Sequence, residues 1–488
     1  MDRLGLGLDL GSTSCKATIV NQRGVVLATS DCGYITYSPE QSWREQECND
    51  WLHAIETVLF DLRSRVPEYM HHINLISLTS AAHIGVLLDK NLQPLRRAMI
   101  WNDQRSYKQV VLLKNKEEWI ESINGNAPST SWTLPHILWV KENEPEIFSN
   151  IKKICLSKDF ILHYLTDEFV TDFATAISSQ LCDCRTHSWS LELCDLVGID
   201  IGQLPEIRDA GTIVGFLKDT LAHRFGLPVT TPVYNGTLDS AMETYGARVR
   251  SENGMVVRIG TGGGIHRITK KPLGDYRLLT YPWPLDNLWY SQAGTNAAGQ
   301  AIAWGCGLLG FPLTAQGFDA FDDLATHAET KKGKQSVFFH PYLNGERTPY
   351  WNSTLRATFS GLSFDTSRAV FAKSILEGVA FSLYDAYLTI RGNGIIPEVL
   401  MAVGGGTKDK VLMQILTSVF GMPVLVHKNS DSAYGTALFA LACDGCLEET
   451  DENVCVFQPD KTMTSLYQKN FEIYKLRTSN LVNMYTCD

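Results

Sequence analysis

The 488-residue sequence contains no run approaching the eighteen or so uninterrupted apolar residues of a membrane helix, which excludes a helical membrane span. It has no excess of positive charge. Lys plus Arg number 43 against 53 Asp plus Glu, and a net charge of −10 excludes a general nucleic-acid or membrane-surface coat. A basic start followed by an apolar block is also missing: Met1-Asp2-Arg3 runs into a strand-like segment holding Asp9, unlike a secretory signal, so a cytoplasmic location is expected. No low-complexity linker or charge block interrupts the chain. With 44% apolar and 20% charged residues the composition is that of a globular protein, not of a disordered chain, a collagen-like repeat or a coiled-coil rod. The length predicts about two to four domains.

Twelve cysteines are present but form no framework. Cys182-x-Cys184 and Cys443-x-x-Cys446 are the only close pairs, and neither has a second pair or a His partner at zinc spacing, so reduced, packing thiols are expected. Both common nucleotide fingerprints are absent as well. There is no Gly-x-x-x-x-Gly-Lys-Ser/Thr and no Gly-x-Gly-x-x-Gly opening a helix after a strand, which argues against P-loop and Rossmann enzymes.

What is present is a repeated hairpin pattern. Leu4 to Val20 reads as an apolar strand, a Gly11-Ser-Thr13 tip and a β-branched strand, and Gly254 to Thr269 repeats the pattern with Gly260-Thr261 standing where Gly11-Ser12 stands. A strand-turn-strand unit recurring at half-length predicts two related α/β halves with a boundary near Ala247. Further strands are expected at Leu75–Thr79, Val399–Val403 and Pro423–His427, and an amphipathic helix over Ala369–Phe381.

Three glycine-rich turns each follow an apolar run: Gly11-Ser-Thr13, Gly260-Thr-Gly-Gly-Gly264 and Gly404-Gly-Gly-Thr407. Turns without bulky side chains let backbone N–H groups approach phosphate oxygens, and Ser or Thr hydroxyls add donors. Any one of them alone is equally an ordinary tight turn. Asp9, two residues before the first turn, suits Mg²⁺ or its water shell, or else a strand end whose carboxylate accepts from turn amides. Pro232 to Gly246 reads as strand, turn and helix with Asp239 at the helix start. An Asp there is an N-cap worth about 1 kcal/mol, or a carboxylate held ionised by the helix end as a base for a substrate hydroxyl. The residues alone leave both readings open.

Taken together, the three turns, Asp9 and Asp239 resemble the FGGY carbohydrate kinases, of the actin, sugar-kinase and Hsp70 ATPase superfamily, over nearly the whole chain. The first signature region corresponds to Ser131 to Asn143, with His136 where a lysine is usual, and the second to Ser360 to Glu377, with Val370 where a polar residue is usual. Trp101-Asn-Asp-Gln-Arg105, Gly294-Thr-Asn-Ala-Ala-Gly299 and Gly345-Glu-Arg-Thr-Pro349 are most similar to xylulokinases.

The resemblance implies an α/β fold of two related actin-like (ribonuclease H-like) ATPase domains with an interdomain cleft. Residues 1–246 are then a sugar-binding domain carrying the first phosphate loop, and residues 247–488 an ATP-binding domain. It implies ATP and Mg²⁺ as cofactors. Gly11, Ser12, Thr13 and Lys16 correspond to the first phosphate loop, Gly260, Thr261 and Gly262 to the second, and Gly404, Gly405, Gly406 and Thr407 to the adenosine loop. Asp9 corresponds to the metal carboxylate and Asp239 to the catalytic base, with Ala82, His83, Trp101, Asn102 and Asp239 around the sugar. Ala81-Ala82 replaces the usual Gln-Met and Ile84 the usual glycine, differences that touch the sugar pocket alone.

The implied activity is phosphorylation of a primary hydroxyl of a small open-chain sugar, D-xylulose or a related ketopentose. Gluconate, ribulose, L-xylulose and glycerol are the alternatives within this chemistry, and an actin- or Hsp70-like ATPase acting on protein partners is the alternative outside it. A small sugar is the expected partner, nucleic acid and membrane are not, and a homodimer is left open.

Overall fold

The computed structural model describes residues 2–252, 254–328, 337–392, 396–397, 399–448 and 454–485. Strand β1 (Leu4–Leu10) alternates leucine with glycine before Asp9. Period-two geometry sends Leu4, Leu6, Leu8 and Leu10 to one face, where they share a core with Trp51, Ile55, Val58 and Leu59 of helix α1 (Cys48–Arg65). The other face is left bare at Gly5 and Gly7. Around β1 the N-terminal sheet adds β2 (Ser14–Asn21), β3 (Val26–Gly33), β4 (Ile73–Ser80), β5 (Ile213–Phe216) and β6 (Pro232–Tyr234) in the order β5-β6-β4-β1-β2-β3. Helix α2 (Ser157–Thr166) follows β4, and α3 (Asp239–Gly246) follows β6.

The C-terminal sheet is built from β7 (Met255–Ile259), β8 (Gly263–Thr269), β9 (Leu279–Pro282), β10 (Trp289–Thr295), β11 (Leu400–Val403), β12 (Val424–His427) and β13 (Val454–Phe457), in the order β9-β10-β8-β7-β11-β12-β13. Its helices include α4 (Gly299–Leu308), α5 (Arg368–Arg391), α6 (Lys410–Phe420) and α7 (Ser432–Cys443). Five strands of one sheet repeat five of the other. The runs β6-β4-β1-β2-β3 and β12-β11-β7-β8-β10 have the same order and the same directions, antiparallel on the hairpin side and parallel on the crossover side.

The two hairpins expected from the sequence are present, with tips at residues 11–13 and 260–262. The strands expected at 75–79, 399–403 and 423–427 lie within or overlap β4, β11 and β12. The helix expected over 369–381 is longer, running to Arg391 because the apolar spacing continues through Leu383, Ala386, Tyr387 and Ile390, all buried. The Ser367 hydroxyl accepts from Val370 N–H and caps its start.

The halves interlock through α7. This helix follows β12 of the C-terminal sheet, yet it lies on the bare face of β1: a Cβ at Gly7 would stand 2.0 Å from the Ala433 carbonyl oxygen. It also crosses α3 backbone to backbone, since a Cβ at Gly435 would stand 1.8 Å from the Met242 carbonyl oxygen. On another side the Asn126 side-chain amide pairs with the Thr280 backbone, donating to its C=O at 2.9 Å and accepting from its N–H at 2.8 Å. Among the described residues no helix is long and apolar enough to cross a membrane.

Candidate active site

The alternation that clears Gly5 and Gly7 puts Asp9 on the same face of β1, beside the start of α7. Its Oδ1 is buried and has no hydrogen-bond partner among the described residues. Burial, then the nearby carboxylate of Asp239, raise its pKa well above the usual carboxylate range, against the Ser432 hydroxyl, which lowers it. Asp239 is the first residue of α3, one position past the N-cap, which is Leu238. Its Oδ1 accepts from Ser240 N–H at 2.7 Å, so it is not the cap of its own helix. Burial pushes its pKa up to about 6, with Arg258 opposing and Glu243 adding to the rise.

The first tip is braced from several sides. Gly11 N–H donates to the Ser14 carbonyl at 3.0 Å, the Gly11 carbonyl accepts from the Tyr34 hydroxyl, and the Ser12 carbonyl accepts from Gln46 Nε2 at 2.7 Å. Thr13 is exposed. Lys16 Nζ crosses to the other half and pairs with Asp431 Oδ2 at 2.8 Å, while Asp431 Oδ1 caps α7 by accepting from Tyr434 N–H.

The second tip is joined to α4. The Gly260 carbonyl accepts from Gly299 N–H at 2.9 Å, and the Thr261 carbonyl accepts from Ala298 and Gln300 N–H at 3.1 and 3.0 Å. A Cβ at Gly262 would stand 2.8 Å from the Thr295 carbonyl oxygen. The third turn lies against the second. Gly404 has φ +94, in the left-handed region, and a side chain there would meet the Ile259 carbonyl at 2.6 Å. At Gly406 a Cβ would meet Ile259 Cγ2 at 2.3 Å, whereas Gly405 faces open space. Thr407 Oγ1 donates to the Gly404 carbonyl at 2.8 Å and closes the turn.

Trp101 Nε1 donates to Ser12 Oγ at 3.0 Å, tying this ring to the first tip, and the Arg347 guanidinium sits 5.7 Å over it. Asn102 Oδ1 is buried without a partner among the described residues. Ala82 is half-buried, and the charge of the same Arg347 reaches the buried His83. Both ring nitrogens of His83 are engaged within the protein: Nδ1 is 3.0 Å from the Ser178 carbonyl and Nε2 is 3.0 Å from the Tyr281 hydroxyl, while the ring stands edge-on to Trp132 at 4.2 Å. The Ser178 carbonyl can only accept, so Nδ1 carries the proton and Nε2 accepts from Tyr281. Burial lowers its pKa to about 3 and keeps the ring neutral.

Sequence reasoning missed Glu243, Arg258, Asp431, Tyr281 and Arg347. Two signals were available: Glu243 stands four residues after Asp239, on the same helix face, and Arg258 is the one charge in the apolar strand before the second tip. Arg347 Nε is buried without a partner among the described residues. A cavity of about 270 Å³ lined by Arg3, His71, His72 and Thr231 contains none of the expected site residues.

Two copies of one sheet unit, each presenting a glycine tip, with a carboxylate beside the first tip and another at the head of a helix between the halves, define an actin-like ATPase fold. Comparison with known proteins narrows the class. The sequence matches the FGGY family of carbohydrate kinases, N-terminal domain, over residues 4–246 and the C-terminal domain over residues 255–443. Xylulose kinase of Lactococcus lactis is 30% identical over 96% of this chain and 95% of its own length. A xyloylose kinase from Brucella ovis superposes with a TM-score of 0.90 at 27% identity, covering 99% of this chain and 100% of that one. Gluconate kinase from Lactobacillus acidophilus superposes with a TM-score of 0.90 at 25% identity over 100% of this chain and 99% of that one. The chain belongs to the FGGY family and is a carbohydrate kinase of xylulokinase-like type.

Proposed function

We propose that the protein transfers the γ-phosphoryl group of ATP to a primary hydroxyl of a small open-chain sugar, with D-xylulose or a related ketopentose as the acceptor. The observation that carries this reading is the placement of Asp9 within reach of the Asp239 charge beside the glycine tips, with the Arg258 charge acting on Asp239. Asp239, pushed to about 6, is ionised at neutral pH and still basic enough to take a hydroxyl proton. In this reading the sugar oxygen bonds to the γ-phosphorus, the bond from that phosphorus to the β–γ bridging oxygen breaks with its electron pair going to ADP, and the hydroxyl proton goes to Asp239.

The residues present fit a Mg²⁺ ion. The unpartnered Oδ1 of Asp9 is a hard oxygen donor, and one or two carboxylates with substrate phosphates and water are the usual company of this ion. Asp9 would hold it, and it would supply charge neutralisation on the β- and γ-phosphates. Among the described residues no group of three or more acidic, His or Cys side chains is placed to hold a metal ion.

The tips at Gly11 to Thr13 and Gly260 to Gly262 line the phosphate path, with the Gly11 and Gly260 N–H groups closing their own turns, Lys16 adds charge, and Gly404 to Thr407 flank the adenosine. Trp101, Asn102 and Ala82 wall the sugar, and the unpartnered Asn102 Oδ1 accepts from one of its hydroxyls. His83 contributes when a sugar hydroxyl takes the place of the Tyr281 hydroxyl at Nε2. Residues up to 246 then carry the sugar and the first phosphate loop, and those from 247 bind ATP. Gluconate is the second reading, supported by the gluconate kinase superposition. ADP release from the purified protein with Mg·ATP and a panel of D-xylulose, L-xylulose, ribulose, gluconate and glycerol tests the assignment. D-Xylulose is expected to give the highest kcat/KM, and ADP release indifferent to every sugar would overturn the kinase reading.

A further inference from the structure

Arg258 is the one charged residue of strand β7 and stands two positions before the second glycine tip. Met255, Val257 and Ile259 enter the core of the C-terminal half, while Val256, on the opposite face, packs with Ala241 and Met242 of α3 and Tyr434 of α7. Arg258 therefore projects toward the crossing of those helices. There its Nε donates to Glu243 Oε2 at 2.5 Å, and Glu243 is almost covered. The arginine side chain is not: 38% of it is exposed. Pinned at Nε, the guanidinium presents its other edge, and Nη1 and Nη2 have no acceptor among the described residues. Nη1 lies 3.2 Å from the place a Cβ on Gly260 would take, so this edge runs along the second tip. The charges of Asp239 and Asp9 both act on it.

A planar cation fixed at one nitrogen and open at two others matches two oxygens of a phosphoryl group. We propose that Arg258, aimed by Glu243, grips the γ-phosphoryl group of the nucleotide while it passes from ADP to the acceptor. The proposal rests on the kinase reading above for the identity of the acceptor, but not for the contact itself. Arg258 neither gives nor takes a proton in the transfer already written; it stabilises charge on the non-bridging oxygens of the moving group. Glu243 is a positioning residue, since its carboxylate accepts from the arginine Nε and acts through it. The competing role is a counter-ion that merely balances Asp9 and Asp239, which is blind to the presence of a third phosphate.

Calorimetric titration of the full chain with Mg²⁺ and either ADP or a non-hydrolysable ATP analogue separates the two roles. Arg258→Met is expected to lose about ten- to a hundredfold in affinity for the triphosphate, the range of a hydrogen bond to a charged group, with ADP affinity changed less than about twofold. Its kcat should fall about 10² to 10³ fold, as for removal of a preorganised donor, with partial recovery on adding millimolar guanidinium. Arg258→Lys keeps the cation and safeguards against misfolding; it should retain most of the triphosphate preference yet lose kcat, because an ammonium does not bridge two oxygens. Glu243→Gln should lower kcat about tenfold and leave the sugar KM unchanged.

Equal losses for ADP and the triphosphate analogue in Arg258→Met, or wild-type kcat in Arg258→Lys, would overturn the proposal. The outcomes also separate it from the kinase reading. If no sugar supports ADP release by the wild-type protein, that reading falls, while a selective loss of triphosphate affinity in Arg258→Met still supports the γ-phosphoryl contact. If sugars are phosphorylated and the selective loss is absent, the reading stands and Arg258 is only a counter-ion.

Discussion

Asp239 has one oxygen on the Ser240 N–H and the Arg258 charge nearby, so replacing it by asparagine keeps the shape and removes the proton acceptor. Asp239→Asn is expected to lower kcat by roughly 10² to 10⁴ fold, the usual worth of a general base, with an unchanged melting temperature to within a few degrees. Steady-state kinetics beside a thermal melt checks both halves of that statement. The titration of Asp239 has two consequences of opposite sign. Activity needs the ionised form, so kcat/KM should fall tenfold per unit as pH drops below about 6. Stability moves the other way. A carboxyl at about 6 in the folded chain against 3.8 ordinarily binds more protons folded than unfolded, so the unliganded protein should lose stability as pH rises from about 4 to 6. Asp9, also raised, acts in the same direction. Other carboxyls titrate over the same interval, so the contribution is read as the difference between wild type and Asp239→Asn: the gap should widen in favour of the variant as pH rises from about 4 to 6, and a gap independent of pH would show that Asp239 titrates normally.

His83 gives a third test at this scale. Tyr281→Phe removes the hydroxyl that occupies Nε2. Losing one buried hydrogen bond should cost about 1 kcal/mol of stability. Freed from that competitor, Nε2 is open to a sugar hydroxyl, and the sugar KM should fall severalfold while the ATP KM stays put. An unchanged sugar KM would place His83 outside the pocket and leave it a packing residue.

Among the elements, the glycine tips are the most sensitive. A valine at 260 would drive its branches toward Arg258 Nη1 at 3.2 Å and the Gly262 carbonyl at 3.3 Å. Gly260→Val is expected to weaken ATP binding much more than sugar binding, read by separate calorimetric titrations, because the backbone no longer approaches a phosphate and the arginine is displaced. Equal loss of both ligands would indicate misfolding of the hairpin.

These hairpins were legible because leucine-glycine alternation and small tips are local patterns. So was the start of α3. The length of α5 was not, since its last three turns pack only when the C-terminal core is assembled. Arg258 and Glu243 looked like a strand charge and a helix charge, and nothing local shows that β7 and α3 bring them to 2.5 Å. The same holds for His83, whose Tyr281 partner lies 198 residues away. Carboxylates beside turns were readable, while the groups that orient and screen them depend on pairings between distant segments.

At the scale of the whole molecule, the two halves are similar in plan but not separable in packing. Lys16 with Asp431, Asn126 with Thr280 and His83 with Tyr281 all cross between them. Ligands bound between the halves would therefore act on these ties, and closing the gap would exclude water from the transferred group. The crossing of α7 over the glycine face of β1 goes further, because it makes the N-terminal sheet incomplete until residue 443 exists. On a ribosome adding about 5 to 20 residues per second, the roughly 200 residues separating α3 from the end of α7 take about 10 to 40 s to emerge. Through that interval α7 is not there to cover the glycine face of the nascent sheet. A fragment ending at residue 246 is accordingly expected to aggregate when produced alone and to become soluble when the remainder of the chain is supplied in trans, as sedimentation of the two expressions would show.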